Sequence, residues 1–337
     1  MIDLNPDELF KKIESDSKEE IKWKLNLDCF ILKVIPIPSS TLIWVVGSEE
    51  NVFLVDTGNL EVVNKFEHIA EIIFSAVLQP KTSDLIICTS CGVCLLTSKG
   101  EVVSLIVEDN WFEHLCVSSD GKVLLVSKGK TLYTFVQKNG TYELIDQDSS
   151  FNSTISDIIF NIDSFLVSNY GGVREYDISN LKDYTLFEWK TSLLNLSWSP
   201  DKKYIAAGTQ ENAIHFWPYP LEKEQDFQMG GYSSKVNIIL WSADAKEFIV
   251  NGFEDIHIWD FSDGPPLGKM PKTLDFGFGK IIDIIYNGTL LVAASNEGAF
   301  CYFFPSKSDQ FIHIRIIDDE ITCLSFSDDE DELYVGS

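Results

Sequence analysis

Two stretches in the second half of the chain decide its fold. Residues 192–217 read SLLNLSWSPDKKYIAAGTQENAIHFW, and residues 234–261 read SKVNIILWSADAKEFIVNGFEDIHIWDF. In each, an apolar strand ends in Trp-Ser, a Lys-bearing turn follows, and a second apolar strand leads through a polar turn into a third strand. Trp198 aligns with Trp241 and Trp217 with Trp259, which gives a period of about 43 residues. The two stretches are copies of one unit.

Units of this length recur along nearly the whole chain. Their first strands start near residues 29, 70, 111, 154, 192, 235, 280 and 321. A period of about 40 to 45 residues with four strands per unit is typical of a propeller blade. We therefore predict an all-β propeller of four-stranded antiparallel blades over residues 21–337. A short helix, with Pro6 in its first turn, is predicted within an N-terminal extension over residues 1–20.

The number of blades depends on how the ring closes. Seven units are complete, whereas the eighth has two strands and stops at its turn. The alternating segment Ile21–Leu27 reads as a strand that could complete this last unit, so eight blades with a composite last blade are favoured. The alternative is seven blades with the final half-unit capping or swapped. A third possibility is that the sequence is clipped at its C-terminal end.

The letters of the two opening stretches resemble the WD-repeat family. The third strand of the second copy ends in Trp259-Asp260, and Gly231–Val236 is similar to the linkers of that family. The resemblance covers nearly the whole chain in period but only these two units in letters. It implies a propeller that binds protein partners. The family's hydrogen-bonded tetrad of Asp, His, Ser or Thr, and Trp is largely missing, so we expect apolar packing to hold the blades together.

Charge and targeting signals limit the classes of partner. The chain of 337 residues has 52 acidic and 26 basic side chains, a formal charge of −26. This argues against nucleic acid and against an anionic membrane surface, and it favours a basic protein partner. The N-terminus lacks a signal peptide, and the seven cysteines are scattered. We expect a cytoplasmic protein that is monomeric outside a complex.

Few residues in the sequence suggest catalysis or metal binding. Cys88, Cys91 and Cys94 have a metal-like spacing, but a strand–turn–strand would direct them to different faces of a sheet, so they are a weak candidate metal site. His215 and His257 occupy equivalent repeat positions, which indicates a structural role. Sequence patterns of nucleophile elbows, zinc proteases and phosphate-binding loops are missing. We predict no catalytic residues, no cofactor and no enzymatic activity.

The remaining hypothesis is a docking face. In propellers of this type, the loops between units and those between second and third strands share one face. Aromatic residues are the commonest anchors of protein interfaces. The alternative is that some of these aromatics cover the tops of the blades. The candidate partner-binding residues are Trp111, Tyr170, Gln210, Glu211, Tyr232, Phe253, Glu254 and Glu297. A non-enzymatic interaction scaffold is favoured. The alternative is an enzyme, or a sensor of a small molecule or metal, that uses the central channel.

Overall fold

The computed structural model describes residues 23–48, 51–108, 110–221, 225–288, 290–303, 312–315, 319–329 and 332–337. Within these ranges the regular secondary structure consists of β-strands, with no helix. They form seven four-stranded antiparallel sheets and one two-stranded sheet. The predicted all-β propeller of four-stranded blades is confirmed.

The sheets follow the chain in order, and we number them as blades. Blade 1 contains β1 (Ile31–Pro36), β2 (Leu42–Gly47), β3 (Val52–Asp56) and β4 (Glu61–Phe66), and blade 2 contains β5 (Ile73–Leu78), β6 (Leu85–Thr89), β7 (Gly92–Leu96) and β8 (Val102–Val107). Blade 3 contains β9 (Leu115–Val117), β10 (Val123–Lys128), β11 (Thr131–Lys138) and β12 (Thr141–Asp148), and blade 4 contains β13 (Asp157–Phe160), β14 (Ser164–Asn169), β15 (Gly172–Asp177) and β16 (Asn180–Glu188). Blade 5 contains β17 (Leu193–Trp198), β18 (Tyr204–Thr209), β19 (Ala213–Pro218) and β20 (Phe227–Gly230), and blade 6 contains β21 (Ile239–Trp241), β22 (Glu247–Asn251), β23 (Asp255–Asp260) and β24 (Lys272–Asp275). Blade 7 contains β25 (Ile281–Tyr286), β26 (Leu291–Ser295), β27 (Ala299–Phe303) and β28 (Ile312–Arg315), and the half-blade contains β29 (Cys323–Phe326) and β30 (Leu333–Gly336).

Each blade runs from the centre of the ring outwards. Most first strands contact the first strands of neighbouring blades, and β29 contacts both β25 and β1, so the ring closes through the half-blade. Fourth strands lie at the rim, where most side chains of β16 are exposed. The interior lies between blades: the rings of Phe216, Trp241 and Phe248, for example, pack between blades 5 and 6.

The favoured count of eight blades is wrong, because the described residues form seven complete blades, the number of the alternative. The final half-unit lies between blades 7 and 1. On one side Leu324 packs with Ala294 of blade 7, and on the other Cys323 packs with Val45 of blade 1. The half-blade fills the gap in the ring because each of its faces is apolar.

The N-terminal segment only partly behaves as expected. The predicted helix and the first two residues of the predicted strand Ile21–Leu27 lie outside the described residues. Residues 23–27 have no strand pairing, although their burial alternates as in a strand. Trp23 lies against Tyr334 of the half-blade, with ring centroids 6.0 Å apart. The segment therefore covers the half-blade through side chains rather than through a ladder of hydrogen bonds.

The repeated Trp-Ser-x-Asp-x-Lys letters of the sequence make one particular turn. In blade 6 the Ser242 hydroxyl accepts from the backbone N–H groups of Lys246 and Glu247 (3.1 and 2.9 Å) and donates to Asp244 (2.7 Å). The Ser242 hydrogen bond and then Lys246 lower the pKa of the Asp244 carboxyl to about 2. The same kind of turn connects first and second strands at Ser118-Asp120-Lys122 and Ser199-Asp201-Lys203.

Candidate functional site

One face of the ring is formed by two sets of loops. The first set joins each blade to the next, and the second joins second to third strands. We call this surface the loop face; its described loops are 67–72, 110–114, 149–156, 189–192, 231–238 and 276–280, and 90–91, 129–130, 170–171, 210–212, 252–254 and 296–298. All eight predicted docking residues belong to these loops.

A cavity of about 410 Å³ opens on the loop face where blades 3, 4 and 5 meet. Two predicted residues, Tyr170 and Gln210, line it together. We call it the loop-face pocket, and its lining is Glu113, His114, Ser153, Thr154, Ile155, Ser156, Tyr170, Ser192, Leu193, Leu194 and Gln210. Three different blades contribute, so the pocket forms only where these blades pack together.

Tyr170 is presented to solvent by a fixed turn. Its side chain is 54% exposed, whereas its backbone N–H donates to the Ser153 hydroxyl (2.8 Å) of the preceding interblade loop. Gly171 and Gly172, with φ of 108° and 134°, complete the turn in a conformation that favours glycine. A Cβ on Gly172 would lie 2.1 Å from the Phe187 carbonyl oxygen. The backbone therefore fixes the position from which the tyrosine ring projects.

Glu113, His114 and Leu194 were not among the predicted site residues. The Glu113-His114 dipeptide is visible in the sequence, but it stands out of register with the repeats. Leu194 is the extra residue of a β-bulge in β17, between Leu193 and Asn195. Similar bulges lie in β1, β5 and β25, and the sequence signal is an apolar–apolar–polar triplet opening the first strand: Ile31-Leu32-Lys33, Ile73-Phe74-Ser75, Leu193-Leu194-Asn195 and Ile281-Ile282-Asp283.

Trp111 and Phe253 are exposed on the loop face but do not line the pocket. The Trp111 side chain is 59% exposed, and its ring lies 5.6 Å from that of Phe74, the bulge residue of β5. Phe253 is 44% exposed in the β22–β23 turn, beside the exposed Glu254. These aromatics belong to separate parts of the face rather than to one cluster.

Tyr232, one of the predicted docking residues, is buried. Only 8% of its surface is exposed, and its hydroxyl accepts from the Trp259 indole N–H (2.9 Å). The buried indole needs a hydrogen-bond acceptor, and Tyr232 supplies it from the loop. Burial raises the pKa of the tyrosine hydroxyl well above its usual value. Tyr232 therefore covers the top of blade 6, which is the alternative role of the loop aromatics.

Glu211 is engaged by its neighbours, unlike Gln210. The Trp189 indole N–H donates to Thr191 (2.8 Å), whose hydroxyl donates to the Glu211 carboxylate (2.8 Å). These two hydrogen bonds hold the Trp189 ring stacked on the His215 ring, with the ring centroids 3.8 Å apart. Burial is the main reason that the pKa of His215 falls to about 4, although Asp226 opposes the shift. The imidazole is therefore neutral near pH 7, as befits a residue packed between blades. Glu297, the remaining predicted residue, is exposed in the β26–β27 turn.

The three closely spaced cysteines lie on different sides of blade 2. Cys88 is fully buried towards blade 3, Cys94 packs towards blade 1, and Cys91 is exposed in the turn. Burial raises the pKa of both Cys88 and Cys94, which keeps them as thiols. Over the described part of the chain, no three His, Cys, Asp or Glu side chains are grouped so that they could hold a metal ion.

Ionisable side chains of the innermost strands link neighbouring blades. Asp157 of β13 accepts from the backbone N–H of Leu196 in blade 5 (2.8 Å), and Asp283 of β25 accepts from that of Leu324 in the half-blade (2.8 Å). Lys33 of β1 donates to the Ala76 carbonyl of blade 2 (2.9 Å). Burial raises the pKa of both carboxyls and lowers that of Lys33. These groups near the channel are thus engaged in hydrogen bonds that join blades.

A second cavity, of about 630 Å³, lies on the opposite face between blades 4 and 5. Its lining includes the carboxylates of Asp163, Glu175, Asp177 and Asp183 and the ring of Tyr184. Glu175 accepts from Ser164 and Tyr219, and Asp177 accepts from Ser179 in its own turn. Two of these carboxylates thus accept hydrogen bonds from neighbouring turns and strands.

Comparisons with known proteins agree with this architecture. Residues 183–218, which include β17, β18 and β19, match the family model described as "WD domain, G-beta repeat". Over 85 residues the chain is 31% identical to the WD repeat-containing protein 26 homolog of Drosophila melanogaster; this covers 23% of the chain and 14% of that protein. The match spans only a small part of that relative.

The likeness of fold extends much further than the likeness of sequence. The crystal structure of the computationally designed Ika8 protein superposes with a TM-score of 0.72 at 14% identity, covering 92% of this chain and 93% of that one. The chain is thus a β-propeller of four-stranded blades that contains a repeat of the WD type and is similar to WD-repeat proteins. Propellers of this class generally act as protein-interaction scaffolds and are generally non-enzymatic. None of the described chain forms a helix long and apolar enough to cross a membrane.

Proposed function

We propose that this protein is a non-enzymatic scaffold that binds protein partners on its loop face, with the loop-face pocket at the centre of the contact. The observation that carries the proposal is the pocket between blades 3, 4 and 5, with Tyr170 exposed at its edge. Trp111 and Phe253 extend the same face with further exposed aromatic surface. Large, rigid aromatic side chains are the commonest anchors of protein interfaces.

Rigid presentation supplies the mechanism. The loops are short and are held by the strands on either side, and the Tyr170 turn is fixed by Ser153 and by the close approach of Gly172 to Phe187. A preformed surface loses little conformational entropy on binding, so more of the contact energy appears as affinity.

The test is affinity purification from cells of the source organism with wild-type bait and two variants. Y170A combined with Q210A is expected to lose the partners retained by wild type. I162A is the matched control, because Ile162 is 69% exposed on the same blade but in the β13–β14 turn of the opposite face. Retention of every partner by the double variant, or equal loss with I162A, would refute the loop-face assignment.

We further propose a cytoplasmic protein, monomeric outside its complexes, whose partners are basic proteins rather than nucleic acid or membranes. The formal charge of −26 supports this proposal, because it repels phosphate backbones and anionic lipids. Light scattering of the purified chain and its localisation in source cells test the first two statements.

A further inference from the structure

We propose that the loop-face pocket takes an arginine or lysine side chain of the partner, with its cationic group beside the Glu113 carboxylate and the Tyr170 ring. The inference rests on the proposed function and names the kind of residue that the same site recognises. It is carried by three features of the pocket: charge, hydrogen-bonding capacity and shape.

The lining carries one carboxylate and no Lys or Arg side chain. Lys130, a nearby base of the loop face, donates to the Asn152 carbonyl (2.8 Å) instead. A partner carboxylate would be repelled by Glu113, whereas a partner cation meets an acid that no lysine or arginine of the lining neutralises.

Three polar side chains around the pocket have hydrogen-bonding groups available to a ligand. Within the described residues, the structure shows no hydrogen bond or ion pair for the side chains of Glu113, Tyr170 or Gln210. An apolar insert would bury such groups without partners, which is costly. A guanidinium has five donors and no acceptor, and an ammonium has three, so either one matches the carboxylate, amide and hydroxyl oxygens gathered here.

The pocket also suits the body of a long cationic side chain. The exposed ring of Tyr170 can receive the cation on its face. Leu194 supplies apolar surface for the methylene stem. A volume of about 410 Å³ is near the lower end of the range for ligand pockets, about 300–1,000 Å³, so one side chain and its neighbouring backbone fit better than a large ligand.

The experiment is selection of random peptides displayed on phage against the immobilised full chain, repeated with E113Q, Y170L and I162A. Circular dichroism and thermal melts confirm that each variant is folded. We expect the enriched peptides to share an Arg or Lys anchor. E113Q and Y170L should lose this enrichment, and I162A should keep it.

A synthetic peptide from the selection then separates charge from shape. Replacing its anchor arginine with citrulline, which is neutral and of nearly equal size, should weaken binding to wild type about tenfold or more, and much less to E113Q. Anisotropy titration measures both.

The possible results separate the two proposals. Peptides that depend on Tyr170 but share no basic anchor, or that tolerate citrulline equally, overturn the cationic anchor while leaving the loop-face scaffold in place. Peptides that bind all the variants equally, or a failure to enrich any peptide, overturn both.

Discussion

At the scale of the residue, Asp157, Asp283 and Lys33 show how blades are joined without the usual tetrads. Each reaches from a first strand to the backbone of the next blade, and their three partners, Leu196, Leu324 and Ala76, lie at equivalent places in their own first strands. The missing tetrad residues led us to expect that apolar packing holds the blades together. The structure shows that polar side chains link the blades as well. The polar links come from a different repeat position.

Asp283 can be tested through stability. It accepts the N–H groups of Ile284 (2.9 Å) and Leu324 (2.8 Å), so D283A leaves two donors without their acceptor. We expect D283A to lower the free energy of unfolding by about 1–3 kcal/mol. D283N keeps an acceptor oxygen and should lose less at pH 7. Urea unfolding followed by tryptophan fluorescence measures both.

The contribution of Asp283 to the free energy of unfolding should change with pH in one direction. Because burial raises the folded-state pKa of Asp283, its contribution to stability is fully present below the unfolded pKa of about 3.9 and is lost as pH rises through the folded value. The free energy of unfolding of wild type minus that of D283N should therefore fall as pH rises through this interval. A difference that rises with pH would contradict the assigned direction.

A variant of Tyr232 can distinguish a loss of stability from a loss of partner binding. Y232F leaves the buried Trp259 indole N–H without its acceptor and should destabilise the fold by about 1–3 kcal/mol, as read from urea unfolding. It should not change partner capture, because the ring is buried. Loss of partners by a fully folded Y232F would return Tyr232 to the docking face.

At the scale of the element, Arg174 of β15 clamps blade 4 to the end of blade 3. The guanidinium lies between the rings of Phe151 (4.1 Å) and Tyr184 (4.4 Å), donates to the Ser150 hydroxyl (2.7 Å), and lies 3.6 Å from the Asp148 carboxylate. The side chain of the arginine is almost fully buried. It therefore joins β12, the following loop and β16 in one contact.

R174M should lower the free energy of unfolding by about 1–3 kcal/mol, because it removes the hydrogen bonds of the guanidinium to Ser150 and the cation beside Asp148. Tyr176 and the Ser150 N–H still donate to the Asp148 carboxylate in this variant. R174K should show a smaller loss, since lysine keeps the charge but not the planar fork. Urea denaturation measures both variants. Wild-type stability in R174M would mean that the clamp contributes nothing beyond packing.

The half-blade should be the least protected part of the inner ring. Only β29 pairs with β30 among the described strands, and a two-stranded sheet has little stability of its own. Hydrogen exchange read by mass spectrometry should therefore be faster in β29 and β30 than in β17 and β18. Equal protection of the two pairs of strands would contradict this expectation.

At the scale of the whole molecule, the net charge should set how fast a basic partner associates with the protein. A formal charge of −26 attracts a basic segment over a distance that salt shortens. For an arginine-bearing peptide from the selection above, the association rate constant should fall about tenfold between low and high ionic strength. Stopped-flow fluorescence measures it, with the citrulline peptide as the less salt-dependent control. An association rate independent of salt would limit recognition to short-range contacts.

The sequence by itself determined the repeat, the strand order and the turns. These features are local: the Ser242–Asp244–Lys246 turn and the alternation of each strand depend on residues a few positions apart, and the period of about 43 residues then repeats them. The grouping of the loops on one face also followed from loop order, because every complete blade has the same topology.

Only the tertiary structure decided the number of complete blades and which loop residues form a pocket. Closure depends on both faces of the half-blade finding apolar neighbours in blades 7 and 1, which lie at opposite ends of the chain. Tyr170 and Tyr232 look alike in the sequence, yet Trp259 holds one inside while the other stays exposed. Such outcomes depend on contacts between residues distant in sequence, and the repeat pattern, which fixes spacing but not neighbours, does not contain them.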